Sequence, residues 1–381
     1  MMARLDEICS LNMGQSPDSS SYNDAKRGVP FFQGNADFGI IHPTARVWCD
    51  APTKIAHDGD ILISVRAPIG ALNIADTDCC IGRGLAALTV NESLCRKEYL
   101  WYAIASKVDE LNSKGTGSTF KAISKRVLAE TEIPLTSLER QTHIADALDL
   151  LTRIISLRKQ QLSKLDELVK SRFIEMFGDP NNNPIGWKKT RLSECLTSID
   201  NGKSFVCDSE PRIGEKPAVL KLSAATYGYY QPHENKAMLD DTQFVPSAEV
   251  RKGDLLFTRK NTPELVGMSA FVYETPPNLM MPDLIFRLNT RANCNKVFLW
   301  KIINLDLFRA NVTALSSGSA KSMSNISKER LMGLEIILPP IELQNEFAIF
   351  VEQIDKSKFE IQKSLEKLET LKKALMQKYF G

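Results

Sequence analysis

Glu139-Arg140-Gln141-Thr142-His143-Ile144-Ala145, running on to Met176-Phe177-Gly178, is a long segment that the chain carries twice. A shift of 203 positions lays residues 123–178 on 326–381 without a gap. Ile123-Ser124-Lys125 then falls on Ile326-Ser327-Lys328, Glu139 and Gln141 fall on Glu342 and Gln344, and Phe177-Gly178 falls on Phe380-Gly381. A period of this length is too long for a solenoid and marks a duplicated unit of domain plus helix. Spaced alternately by four and three, the first copy reads Ile144, Leu148, Leu151, Ile155, Arg158, Leu162, Leu165, Val169, Arg172, Met176. The second reads Phe347, Val351, Ile354, Lys358, Ile361, Leu365, Leu368, Lys372, Leu375, Tyr379. Neither stretch holds a proline or an interior glycine, and a narrow apolar seam of this period is buried against one partner helix. Each helix is expected to run about 60 Å at roughly 1.5 Å per residue. Two copies of one seam are natural partners for each other, and antiparallel pairing would give the chain internal pseudo-twofold symmetry.

Working outward, the repeat continues upstream with a drifting offset. Arg4-Leu5 matches Arg191-Leu192, Gly14-x-Ser16 matches Gly202-x-Ser204, Gly59-Asp60-Ile61-Leu62 matches Gly253-Asp254-Leu255-Leu256, and Leu100-Trp101 matches Leu299-Trp300. The offset rises from 187 to 203, so the second copy has gained its extra residues in connections ahead of its helix. Four segments follow: a domain over 1–138, a spacer helix over 139–180, a second domain over 181–341 and a second spacer helix over 342–381. In the first domain the pattern predicts strands at 29–34, 61–66, 85–90 and 132–135 and helix over 98–111 and at Lys125. In the second it predicts strands at 217–223, 253–259, 271–273 and 283–286. Short strands mixed with helices give an α+β class. Asp179-Pro180-Asn181-Asn182-Asn183-Pro184 is a helix stop and linker.

The chain has 381 residues and 43% apolar content, enough for two or three cored domains. Its net charge of +2 does not by itself announce a nucleic-acid partner. Basic and acidic residues number 14 and 16 in 1–138, 20 and 16 in 181–340, and seven of each in each helix segment. A phosphate-binding surface therefore has to come from local placement of Lys and Arg. The eight cysteines include no Cys-x-x-Cys and the four histidines form no ligand pair, so no metal is expected. The start of the sequence lacks the apolar core of a signal peptide and no run reaches the length of a membrane span, which points to a reduced, cytoplasmic protein without a membrane partner.

Catalytic signatures are missing. There is no phosphate loop and no dinucleotide fingerprint, and the nearest string to an adenine-methyltransferase motif, Asn183-Pro184-Ile185, falls in the linker. Pro282-Asp283 could open a metal-nuclease pattern, but no later Lys has an acid two residues ahead of it. With the duplication, this favours a non-enzymatic binding protein. Two unlike domains on helical spacers suit a split, asymmetric DNA site, since major-groove faces recur about every 34–36 Å. The leading candidates are two polar glycine loops at equivalent places, Gly115, Thr116, Gly117, Ser118 and Thr119 with Lys121, and Ser316, Ser317, Gly318 and Ser319 with Lys321. Backbone amides approach phosphates where no Cβ intervenes. Gln15, Ser16, Gln33 and Asn35 carry groups able to read base edges. Arg66 and Arg83, with Arg259, Lys260 and Asn261, offer phosphate or guanine contacts. Lys203 and Lys221 are further DNA-binding candidates, and Tyr227, Tyr229 and Tyr230 can stack or pack at the interface.

Met13-Gly14-Gln15-Ser16-Pro17, Pro30-Phe31-Phe32-Gln33-Gly34, the run from Gly59 to Gly70 containing Ser64-Val65-Arg66-Ala67-Pro68, Ile81-Gly82-Arg83-Gly84 and Gly115-Thr116-Gly117-Ser118-Thr119 resemble the specificity subunit of type I restriction-modification systems. So does Met176-Phe177-Gly178-Asp179-Pro180 leading to Asn183-Pro184-Ile185-Gly186-Trp187-Lys188. The resemblance covers essentially the whole chain. It implies two target-recognition domains, each reading one half of a bipartite double-stranded DNA site, joined by an antiparallel coiled coil that sets the gap and docks two modification subunits. It also implies that those methyltransferase partners carry S-adenosylmethionine, that this chain holds no cofactor and catalyses nothing, and that motor-nuclease restriction subunits complete the complex. One departure is Arg259-Lys260-Asn261-Thr262, which stands where the first domain has Arg-Ala-Pro-x-Gly. The competing readings are a stand-alone methyltransferase or nuclease, and a coiled-coil scaffold that does not touch DNA.

Overall fold

The computed structural model describes residues 1–117, 121–317 and 323–381. These form two compact units, Met1–Gln160 with Gln362–Gly381, and Gln161–Ile361. Each unit takes a half of each of two long helices, Leu138–Phe177 and Ile341–Phe380.

In the first unit an antiparallel sheet has the order Cys9–Met13, Leu85–Val90, Ile61–Ser64, Leu72–Ile74. Leu85–Val90 is central because its run of Leu85, Ala86, Ala87 and Leu88 is apolar on both faces and fully buried. A second sheet orders Tyr22–Asn23, Val47–Cys49, Val29–Phe32, Cys79–Ile81 and Ile55–Ala56, with Val29–Phe32 parallel to Cys79–Ile81. Leu5, Ile8, Ile61, Ile63 and Leu88 pack with Tyr99 and Leu100 of the helix Lys97–Ser106. Helix was expected to run unbroken over 98–111; instead it stops at Lys107 and restarts as Val108–Ser113, which turns Leu111 into the core.

The second unit repeats this plan. Its antiparallel sheet is ordered Leu196–Asn201, Ile285–Thr290, Leu255–Thr258, Ser269–Phe271, and its mixed sheet pairs Ala218–Leu220 parallel with Leu279–Met280. The strand expected over 217–223 ends at Leu220 and gives way to a helical turn, Ser223–Thr226. The repeated Gly-Asp pairs have one job in both units. Gly59 and Gly253 adopt positive φ, and the buried carboxylates of Asp60 and Asp254 close the turns by accepting from the backbone N–H of His57 and Arg251 at 2.9 Å. Asp254 is also paired at 3.0 Å with Arg287, whose guanidinium donates to the carbonyls of Glu249 and Ser247 as well.

Inside each unit the two long helices run antiparallel. In the first, Lys159 pairs with Glu369 at 2.8 Å, and Ile144 and Leu148 share a core with Leu375, Tyr379 and Phe380. In the second, Arg172 pairs with Glu346, and Phe173, Phe177, Phe298 and Phe347 form an aromatic cluster with ring centroids 5.0–5.7 Å apart. Of the apolar seam residues, Leu148, Leu151, Val169, Val351, Ile361 and Leu365 are buried, while Ile155, Leu162, Leu165, Ile354, Leu368 and Leu375 are half-buried.

The repeated Glu-x-Gln has a structural cause. Gln141 is fully buried and its Oε1 accepts from Arg96 N at 2.7 Å, while Nε2 donates to the carbonyls of Leu94 and Thr136. Gln344 does the same with Asn295 N, Asn293 O and Pro339 O. Each glutamine amide thus fastens the start of a long helix to the loop ahead of a domain helix. The repeated Ile-Ser-Lys is a helix start too, with Ser124 and Ser327 accepting from Val127 N and Arg330 N at 3.3 Å.

Candidate nucleic-acid interface

In the first unit the loops that leave the strand ends are woven into one rim. Gln15 N donates to Ile81 O at 3.0 Å, Gly82 N to Phe32 O at 2.8 Å, Gly84 N to Gln33 O at 3.2 Å and Val65 N to Gly84 O at 2.9 Å. From Val65 the chain continues into Arg66, which bridges to Ala122, while Ile123 N donates to Val65 O and Ala122 pairs with Thr116. Gly14 lies so close to the facing backbone that a Cβ would sit 2.2 Å from Gly82 O. The rim is therefore fixed by main chain, and the side chains of Gln15, Gln33, Arg66, Arg83, Thr116 and Lys121 stand exposed on it. Ser16 accepts from Arg83 N at 3.4 Å and so holds two of the loops together. Beside the rim a cleft of about 580 Å³ is lined by the stacked rings of Tyr22 and Phe31, with Gln33, Asn35, Asp37 and Arg46.

The second unit builds the same rim with different side chains. Lys203 N donates to Met281 O at 3.0 Å, as Gln15 does to Ile81, and a Cβ on Gly202 would lie 2.1 Å from Pro282 O. Arg259 N donates to Leu284 O and Ile326 N to Arg259 O, which are the bonds that Val65 makes. Lys260 pairs with Asn325 as Arg66 does with Ala122. The register corrects the match between the two arginines: Lys260 occupies the place of Arg66, and Arg259 that of Val65. Half-buried, Arg259 lies 5.0 Å over the Phe286 ring and donates to Asn325 Oδ1. In the mixed sheets Phe31 faces Cys80 and Val219 faces Met280, so Lys221 follows its strand as Gln33 does.

Asn261 is removed from the set of DNA-facing candidates. It is buried, its amide donates to Thr226 Oγ1 at 3.1 Å and its Oδ1 accepts from Thr262 N. Its work is to hold the turn that presents Tyr227 and Tyr229, which are 57% and 55% exposed. Tyr230 turns inward to Thr275 at 2.8 Å, and burial pushes its hydroxyl up to about 12. Gly115 is half-buried, Gly117 exposed, and Ser317 exposed with its backbone paired to Asn325. Ser118, Thr119, Gly318, Ser319 and Lys321 lie outside the described residues.

The register also exposes a residue that sequence reasoning passed over. Asp283 N donates to Ser204 Oγ at 3.1 Å, the bond that Arg83 N makes to Ser16, so Asp283 stands where the first unit has Arg83. In sequence the Pro282-Asp283 dipeptide suggests only a metal-nuclease start; the signal that finds Asp283 is its place beside Gly202-x-Ser204.

Among the described residues no group of His, Cys, Asp or Glu is arranged to hold a metal, and no helix is long and apolar enough to cross a membrane. All eight cysteines are free thiols; burial pushes Cys9, Cys79 and Cys95 up to about 12.

The structure is similar along its whole length to the crystal structure of a type I restriction-modification S subunit from M. genitalium, with a TM-score of 0.65, 16% identity and 96% of that chain covered. That likeness concerns the fold. In sequence, the chain is 41% identical over 158 residues to a putative type I restriction enzyme MjaX specificity subunit of Methanocaldococcus jannaschii, covering 42% of this chain and 37% of the relative. It is 29% identical over 265 residues to the type I restriction enzyme EcoEI specificity subunit of Escherichia coli, covering 68% and 44%. The chain thus spans less than half the length of these two curated relatives. The family described as type I restriction modification DNA specificity domain matches residues 1–167 and 184–373. Two matched segments, one for each copy of the repeat and together taking in nearly the whole sequence, place this chain in the type I restriction-modification DNA specificity family.

Proposed function

We propose that the chain is the DNA sequence-recognition subunit of a type I restriction-modification complex, with each unit reading one half of a split, asymmetric duplex site through its strand-end rim. The observation that carries this reading is the rim built twice on one backbone pattern with different side chains: Gln15, Gln33, Arg66 and Arg83 in one unit, Lys203, Lys221, Lys260 and Asp283 in the other. A common frame supplies common placement on the sugar-phosphate backbone, and unlike side chains supply different base contacts. The paired long helices set the unread gap and dock two modification subunits, to which motor-nuclease subunits add. The chain itself is non-catalytic and holds no cofactor; S-adenosylmethionine belongs to the modification subunits.

The test is single-molecule sequencing of modified adenines in DNA from cytoplasm holding this chain with its modification subunit, against cells lacking the chain. A new split, asymmetric methylated motif is expected. No new motif, with both proteins present and associated, refutes the reading. A scaffold that does not touch DNA is separated by duplex binding that weakens steeply with salt, as phosphate contacts require.

A further inference from the structure

Arg83 and Asp283 occupy one position of the shared rim. Each lies between a residue pressed against the Gly-x-Ser loop, Gly82 or Pro282, and a residue whose carbonyl accepts from the neighbouring strand, Gly84 or Leu284. Each has its backbone N–H held by the serine of that loop. Ser204 does one thing more than Ser16: its hydroxyl donates to Asp283 Oδ1, so the carboxylate is clamped at both its backbone and its side chain. Among the described residues no lysine or arginine forms an ion pair with Asp283, although the equivalent rim positions around it are Lys203, Lys221 and Lys260. Ser204 also lines a cleft of about 480 Å³ with Phe205, Leu239, Asp240 and Gln243, and Asp283 beside it is half-buried.

A fixed carboxylate on a cationic rim is repelled by phosphates and gains nothing from the sugar-phosphate backbone. What it can take from a duplex is a base-edge donor. In the major groove the exocyclic amine of cytosine is the group that acidic side chains accept from, whereas arginine donates to the O6 and N7 of guanine. We infer that Asp283 is a specificity-determining residue of the second unit, accepting from the N4 amine of a cytosine, with Ser204 as its positioning residue, and that Arg83 reads a guanine at the equivalent place in the other half-site. This rests on the DNA-recognition reading above and assigns a base class within it.

The experiment uses the full chain assembled with its modification subunits. The methylated motif of the wild type is determined first; absence of any split motif refutes the recognition reading itself. Binding is then measured to duplexes carrying that motif with each base pair changed singly. Asp283→Ala is expected to lose roughly 10- to 100-fold of discrimination at one C·G pair, leaving every other position and the gap unchanged. Asp283→Asn, which keeps a partner for Ser204, is expected to move the preference at that pair toward A·T, because an amide pairs with adenine. Arg83→Ala is expected to relax one G·C pair in the opposite half-site. Ser204→Ala is expected to weaken discrimination at the Asp283 pair by a smaller factor. Asp283→Asn and Asp283→Ala complexes that discriminate as the wild type does at every base pair, or that weaken binding to all duplexes equally, overturn the inference.

Discussion

Replacing Gln344 by Leu removes a side-chain amide without opening a cavity, because the two side chains are close in volume, so the cost is almost purely polar. Three groups lose their partner: Asn295 N at 2.9 Å, Asn293 O at 3.2 Å and Pro339 O at 2.7 Å. Gln344 has no exposed surface, so water does not stand in for it without local opening. A buried polar group left unpaired costs about 1–3 kcal/mol, and some relaxation of the loop is expected, which gives roughly 3–6 kcal/mol for the set. That is a large fraction of the ~5–15 kcal/mol that holds a domain folded. Urea unfolding followed by tryptophan fluorescence reads the global loss, and hydrogen exchange of peptides covering 293–300 and 339–347 locates it. Gln141→Leu is the matching change in the first unit, where exchange over 94–100 and 136–142 should accelerate. A Gln344→Leu chain that unfolds within about 1 kcal/mol of the wild type would refute the reasoning, since it would mean the amide contributes no more than an exposed hydrogen bond does.

Asp254→Ala removes the nearer of the two carboxylates on the buried Arg287 guanidinium, leaving Asp200 at 3.3 Å, and opens the turn at Gly253; a loss of about 1–3 kcal/mol in calorimetry is expected, larger than for Asp60→Ala, whose carboxylate forms no arginine pair among the described residues. Lys301 is packed 3.4 Å over the Trp300 ring beside Asp355, which Tyr273 also holds, with Lys358 and Asp166 close by, and burial lowers its ammonium to about 8 despite Asp355. The unfolded chain then binds more protons than the folded one between about pH 8 and the ordinary lysine range, so this group makes stability rise with pH across that window, and Lys301→Met should remove that rise in a series of melting curves. Gly202→Ala drives a methyl into Pro282 O and should lower duplex binding by the second unit more than it lowers the melting temperature of the first. Inserting about one heptad between Leu157 and Val169, with a matching insertion in the second helix, adds ~10 Å of helix and should lengthen the methylated gap by about three base pairs; an unchanged gap in the methylation map would count against the helices setting it.

The helices and the duplication were legible because they depend on periodic, local signals. An apolar seam repeats every three or four residues, and Glu-x-Gln and Ile-Ser-Lys recur because a buried amide and a serine cap are needed at each helix start. The mixed sheets were less legible. Strands of two to four residues such as Tyr22–Asn23 and Leu279–Met280 carry too short a pattern, and the parallel pairing of Val29–Phe32 with Cys79–Ile81 joins residues far apart in the chain. The rim was half legible. Gly14-x-Ser16 and Gly202-x-Ser204 were matched correctly, but pairing arginine with arginine put Arg259 opposite Arg66, whereas backbone register puts Lys260 there. Identity misled because what the two copies share at that place is a hydrogen-bonding scheme, not a side chain. Asn261 looked like a reader for a related reason: an amide that binds protein and one that binds a base have the same formula, and only burial separates them.

The rim loops are held by main-chain bonds and by glycines pressed against carbonyls, which separates the cost of changing a letter from the cost of keeping a shape. Positions such as Gln15, Gln33 and Arg83 are free to mutate because nothing in the core leans on them, while Gly14 or Gly202 cannot change without displacing the backbone that faces it. Under selection, variation should therefore pool at a few exposed sites set among nearly fixed neighbours, and one gene could pass through many target sequences by single substitutions without crossing an unfolded intermediate.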